Sequence, residues 1–228
     1  MTRVTIHQPE HLPWLGFFHK MADCDVYVLL DSVQFTKNNY QNRNRLIDQN
    51  GTVFWSTVPV RMNGHIDKRI MDMELDNAQP WPRKVWGRIA GAYRRHPHFA
   101  ALASELEGIF MKERQYLLDL NLDLIDFFRR QLHIDVPMVR SSTLAVKGAR
   151  SELLLDICRK LDADTYLSGP AGRRYLDMPL FEAAGVALDF HAFTHPVYAA
   201  PHFQPYLSTL DLLMNHGPDS RAMLGLPT

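Results

Sequence analysis

The chain has 228 residues, 46% hydrophobic and 22% charged, enough to bury a full core as a single α/β domain over residues 1–228. Its 25 basic and 25 acidic residues cancel, which argues against a broad electrostatic footprint for nucleic acid or an anionic membrane. Two cysteines, Cys24 and Cys158, are too few for a disulfide framework or a cysteine zinc site and suit reduced thiols in a cytoplasm.

The first residues lack the apolar core of a signal peptide, and no run of about 18 apolar residues follows, so a cytoplasmic protein without membrane insertion is expected. Residues 4–6 read as a buried strand, Pro13 opens a helix to about Ala22, and residues 26–30 form a second apolar strand, completing a β-α-β unit. Asn50-Gly51 marks a hairpin whose second strand is 54–58, and the alternation of 71–75 predicts an extension of that antiparallel patch. Helices are predicted over 82–95 and, from one continuous apolar stripe, over 101–132. Ser151 reads as the N-cap of a helix to about Leu161, residues 165–167 as a strand, and 186–190 as another. A last helix near 206–215 stops at Gly217-Pro218. The alternation predicts a layered parallel or mixed sheet flanked by helices, with a hairpin and helical insertion at about 45–135.

In open α/β sheets ligands bind beyond the carboxyl ends of the strands, where His7, Asp31 and Ser168 fall. A histidine there either donates to a phosphate oxygen or hydrogen-bonds the backbone, and both readings stay open for His7 and His11. Asp31 suits a ribose hydroxyl, a cation or a turn cap. Gln8 and Gly16 flank the first strand and helix, while Gln34, Asn42, Arg43 and Arg45 supply neutral donors and guanidinium forks for phosphate or carboxylate. Ser168, Gly169 and Gly172 form a loop in which glycine dihedrals and successive N–H groups can cradle an anion. Trp14, Phe17 and Phe18 read as core. His191, His195 and His202 are too loosely spaced for a metal site. Arg83, Lys84, Arg88, Arg94 and Arg95 read as a solvated helix face.

His7-Gln8-Pro9, Pro13-Trp14-Leu15-Gly16-Phe17-Phe18, Gln34-Phe35, Gln41-Asn42-Arg43, Tyr166-Leu167-Ser168-Gly169-Pro170 and Pro205-Tyr206-Leu207-Ser208, in this order, resemble the WbqC-like protein family over nearly the whole chain. His11 departs from the family, in which an aromatic residue is frequent at that position. The resemblance implies a role in bacterial O-antigen and other surface-polysaccharide biosynthesis, with glycine transfer to an amino sugar the suggested reaction. The first β-α-β unit is also similar in architecture to nucleotidylyltransferases and pantoate-activating enzymes, implying a Rossmann-like sheet. The expected catalytic residues are His7, Asp31 and Arg43. The expected substrates are a nucleotide-linked amino sugar and an amino acid or acyl donor, activated with ATP and magnesium that the phosphates, rather than a protein cage, hold. The alternatives are a nucleotidylyltransferase making an activated sugar and a non-catalytic nucleotide-binding protein. No nucleic-acid partner is expected, and oligomeric state is not legible.

Overall fold

Short apolar runs rich in Val, Ile, Leu and Tyr build the strands of the main sheet, the three central ones mostly buried and the two outer ones only partly. In the computed structural model, which describes residues 1–226, the strands are β1 (Arg3–His7), β2 (Val26–Leu29), β3 (Arg43–Ile47), β4 (Val53–Thr57), β5 (Met138–Arg140), β6 (Thr165–Ser168) and β7 (Ala187–Phe190). The helices are α1 (Leu15–Ala22), α2 (Trp81–Tyr93), α3 (Phe99–Met111), α4 (Leu117–Gln131), α5 (Arg150–Lys160), α6 (Met178–Ala183), α7 (Thr209–His216) and α8 (Ser220–Met223).

The chain divides into two compact units. The first comprises residues 1–8, 20–32 and 135–194 and holds a five-stranded, wholly parallel sheet in the order β5-β2-β1-β6-β7. Val4, Tyr27, Val28 and Leu29 are fully buried in it. Helices α5 and α6 flank it, and Tyr166 on β6 stacks on Phe181 of α6 with ring centroids 5.7 Å apart. From β1 the strands proceed outward in both directions, β2 and β5 to one side, β6 and β7 to the other. The order therefore reverses between β1 and β6.

The second unit comprises residues 9–19, 33–134 and the described residues from 195 onward. Its hairpin pairs β3 with β4, Arg43 opposite Thr57 and Ile47 opposite Val53. The turn is set by Asp48, whose Oδ1 accepts from the backbone N–H groups of Asn50 and Thr52 at 2.9 Å each, and by Gly51, whose φ of 81° needs a glycine. Helices α2, α3 and α4 pack an aromatic core in which Trp86 stacks against Phe99 and Phe110, and Phe127 lies against Phe128. Each such side chain contributes about 1.5–3 kcal/mol on full burial.

Four expectations need correction. The single helix over 101–132 is two, α3 and α4, because the Arg114 guanidinium turns back to donate to the carbonyls of Ile109 (2.6 Å) and Lys112 (2.8 Å), satisfying the end of α3. The freed segment pairs instead with 73–75, where Leu75 N–H donates to Gln115 O and Leu117 N–H to Met73 O. Residues 71–75 accordingly make isolated bridges rather than a third hairpin strand. Ser151 lies inside α5, with Ala149 at the cap position, and its hydroxyl accepts from the Asp177 N–H at 3.0 Å. Tyr206 precedes α7 with a φ of 62°, and Ser208 caps that helix by accepting from Leu210 N–H at 3.2 Å. No helix among the described residues is long and apolar enough to cross a membrane.

Candidate functional site

At the carboxyl edge of the parallel sheet, β1 and β6 run side by side with Thr5 opposite Leu167, so His7 comes level with Gly169 two residues on. This is where the strand order reverses, the place in an open α/β sheet where helices diverge and leave a crevice. The backbone fixes both strand ends: His7 O accepts from Leu30 N–H and Ser168 O from His191 N–H, each at 2.8 Å. His7 and Gln8 are half-buried.

The two glycines of the loop differ in role. Gly169 has φ −66° and ψ 161°, an extended conformation open to any residue, and a Cβ there would meet nothing within 4 Å. Gly172 lies in the short 3-10 turn of residues 170–174, where a Cβ would fall 2.1 Å from Ser168 Oγ. Neither has the positive φ expected of an anion-cradling loop; Gly172 is needed for packing, and Gly169 borders open space.

Asp31, fully buried, is a clamp between the ends of β2 and β5. Its Oδ2 accepts from Arg140 Nε and the Ser142 hydroxyl, both at 2.7 Å, and its Oδ1 from the Ser141 hydroxyl and Ser142 N–H, both at 2.9 Å. Burial alone would raise its pKa, but the hydrogen bonds from Ser142, Arg140 and Ser141 outweigh it and hold the carboxyl below its ordinary value. With two donors on each oxygen, this carboxylate is filled from within the protein.

The polar string of the second unit also has internal partners. Gln34 donates to Ile66 O, Asn42 to Val58 O at 2.9 Å, Arg43 to Asn38 O, Asn44 to Leu12 O at 2.8 Å and Arg45 to Tyr206 O at 2.9 Å. Five side chains thus tie loops together through backbone carbonyls that strands and helices leave unused. The Arg43 guanidinium also stacks 4.3 Å from the centre of the Trp55 ring. Gly16 is small because the Trp14 indole lies on it: a Cβ would come within 2.2 Å of that ring.

His11 is fully buried with its edge toward Phe110, at 6.2 Å between ring centroids. Burial lowers its pKa to about 4, against a smaller opposing effect of Asn121, so the ring is neutral at pH 7. The two thiols are free and buried, and burial pushes both up to about 12, far from nucleophilic reactivity. No group of three or more His, Cys, Asp or Glu among the described residues is placed to hold a metal ion.

One constellation was not legible in the sequence. In the second unit a cavity of about 600 Å³ is bordered by His96, His202, His216 and Asp211. Asp211, 1% exposed, receives the Tyr93 hydroxyl on Oδ1 at 3.1 Å and the Tyr198 hydroxyl on Oδ2 at 2.8 Å. Burial raises its pKa despite those two donors and the nearby His96 and His216, so it keeps a proton to higher pH than a free carboxyl. Its partners come from positions 93 and 198, on either side of α3 and α4 in the chain, and no local motif announces them.

Compared with known protein families, residues 8–223 match the WbqC-like protein family. The chain is 30% identical over 224 residues to Uncharacterized protein Rv1507c of Mycobacterium tuberculosis, covering 96% of each. No solved structure matches.

Proposed function

The chain belongs to the WbqC-like protein family, and from that membership we propose that it is a transferase that joins an amino acid, glycine, to the amine of a nucleotide-linked sugar in bacterial surface-polysaccharide biosynthesis. The supporting observation is the alignment of His7 with Gly169 at the point where the strand order reverses. Numbered on its own, the sheet runs third, second, first, fourth, fifth, the order of a Rossmann-like sheet, in which a nucleotide binds at that edge. Open space beside Gly169 suits the close approach of a phosphate.

In this reading the amino-acid carboxylate attacks the α-phosphorus of ATP. The bond to the bridging oxygen breaks, pyrophosphate leaves, and an acyl-adenylate forms. The sugar amine then attacks the acyl carbon, loses a proton to solvent and expels AMP. His7 donates a hydrogen bond to the phosphoryl oxygen on which charge builds, and the loop at Ser168 and Gly169 orients the nucleotide. Magnesium, which would supply charge neutralisation at the phosphates, would be held by those phosphates rather than by Asp31, whose carboxylate protein donors already fill. Asp31 acts as a positioning residue that fixes the loop after β5.

The experiment is exchange of labelled pyrophosphate into ATP, with magnesium, for each of the twenty amino acids, in the native protein and in His7→Ala. Exchange with glycine or a few small amino acids, lost in the variant, is the expected result. Exchange that requires a sugar phosphate and no amino acid would mark a nucleotidylyltransferase. No exchange at all would rule out adenylation as a separate half-reaction.

A further inference from the structure

A groove of about 410 Å³ in the second unit is bordered by β4 and the start of α2. Trp55 and Thr57 border it from β4, and Trp81, Lys84, Val85 and Arg88 from α2. Trp55 keeps 39% of its surface exposed although it is a large aromatic. Its ring is packed by the Arg43 guanidinium, 4.3 Å from the ring centre, and by Tyr40 at 5.9 Å. Stacking of this kind leaves a fixed aromatic platform at the mouth of the groove.

The charge of the groove is one-sided. Lys84 and Arg88, four residues apart on one face of α2, are its charged lining residues, and no acidic side chain borders it. Arg88 is anchored 4.1 Å over the Phe54 ring, so its position is set before any ligand arrives. Helix α2 adds to this field: it opens at Pro80 without a side-chain cap and carries no acidic residue in its first turn. A helix start normally attracts an anion, and here the protein supplies only cations.

We propose that this groove binds a nucleoside diphosphate, its base stacked on Trp55 and its phosphates between Lys84, Arg88 and the opening of α2. The choice of a nucleoside diphosphate rests on the reading above, in which the acceptor is a nucleotide-linked sugar. Flat ring and anion together match what the lining offers, whereas a neutral sugar brings no charge to meet Lys84 and Arg88.

Calorimetric titration with UDP, ADP and inorganic pyrophosphate tests this, using the native chain, Trp55→Ala, Trp55→Phe and the double variant Lys84→Ala/Arg88→Ala, each checked by thermal melting. UDP is expected to bind the native chain, about tenfold or more weakly in Trp55→Ala and in the double variant, with Trp55→Phe recovering most of the loss. Pyrophosphate should bind more weakly than UDP and be insensitive to Trp55. No UDP binding at millimolar concentration, or binding unchanged in the folded variants, overturns the proposal, as does pyrophosphate binding as tightly as UDP. The UDP titration repeated on His7→Ala separates the two readings. Binding at the groove persists there even when pyrophosphate exchange is absent, and exchange can persist when the groove variants bind nothing.

Discussion

Ser168 and Gly172 are matched as a pair: the serine hydroxyl occupies the space in which any side chain at 172 would begin, 2.1 Å from the nearest Cβ position. Gly172→Ala must push that hydroxyl, and also Leu176, whose Cδ1 lies 3.1 Å from the added carbon. The variant should lose about 1–3 kcal/mol of stability. Ser168→Ala in the same chain removes the oxygen and should restore part of the loss. Urea unfolding of the two single variants and the double measures the coupling, and strictly additive losses would refute the contact.

His11 makes the fold acid-sensitive. Its folded-state pKa lies below the unfolded value, so its stabilising contribution is complete above about pH 6.5 and disappears as pH falls through about 4. That displacement corresponds to about 3 kcal/mol. His11→Phe, which fits an apolar site beside Phe110, should lose correspondingly less stability between pH 7 and pH 4.5. Superimposable pH profiles for the two proteins would show that His11 is not the sensitive group.

The Asp31 clamp predicts a different window. A carboxyl held below its ordinary pKa stabilises the fold above its unfolded value and gives that up as pH drops through the folded one, in the acid range below about pH 4. At pH 7, Asp31→Asn should cost about 3 kcal/mol, since it leaves Arg140 and two serines facing an amide. Ser142→Ala should cost about 1 kcal/mol. Denaturant titration at pH 7 decides; equal stability of Asp31→Asn and the native chain would discard the clamp.

Asp211 carries the opposite sign. Because its folded pKa is raised, its favourable contribution is present below the unfolded value and is lost as pH rises through the folded one. Tyr198→Phe removes a donor from the carboxylate and should cost about 1–3 kcal/mol at pH 7 but less at pH 4, where the carboxyl is nearer neutrality. A cost independent of pH would mean that Tyr198 acts through packing alone.

Strands β1, β2 and β6 were legible because each is a mostly buried apolar run, and the carboxyl ends of β1 and β6 gave the position of His7 and Ser168 directly; β7, whose residues are exposed or half-buried, was legible from its apolar residues alone. β5 was not legible: three half-buried residues after Pro137 carry too little pattern. The break between α3 and α4 was hidden because the apolar stripe continues across it, while the determinant is the return of Arg114 to its own helix end. The dense Asn and Arg residues near position 40 read as a ligand-binding surface, since composition cannot tell a donor aimed at a phosphate from one aimed at a backbone carbonyl. Lys84 and Arg88 read as a solvated face and both are exposed; the groove they border with Trp55 was not legible, because Trp55 is about thirty residues earlier in the chain and on a strand.

The threading of the two units has a consequence for biosynthesis. Each unit is assembled from separate stretches, so that no contiguous cut of the chain isolates either one from the other. β1 can pair with β2 almost at once, but its other edge must wait for β6, 162 residues later, from Arg3 to Thr165. At ribosomal speeds of about 5–20 residues per second, that edge stays open for on the order of ten seconds. An uncovered strand edge is a template for pairing with other chains. Yield in the cell should therefore respond to translation rate and to chaperones that shield nascent chains, more than to the stability of the finished protein.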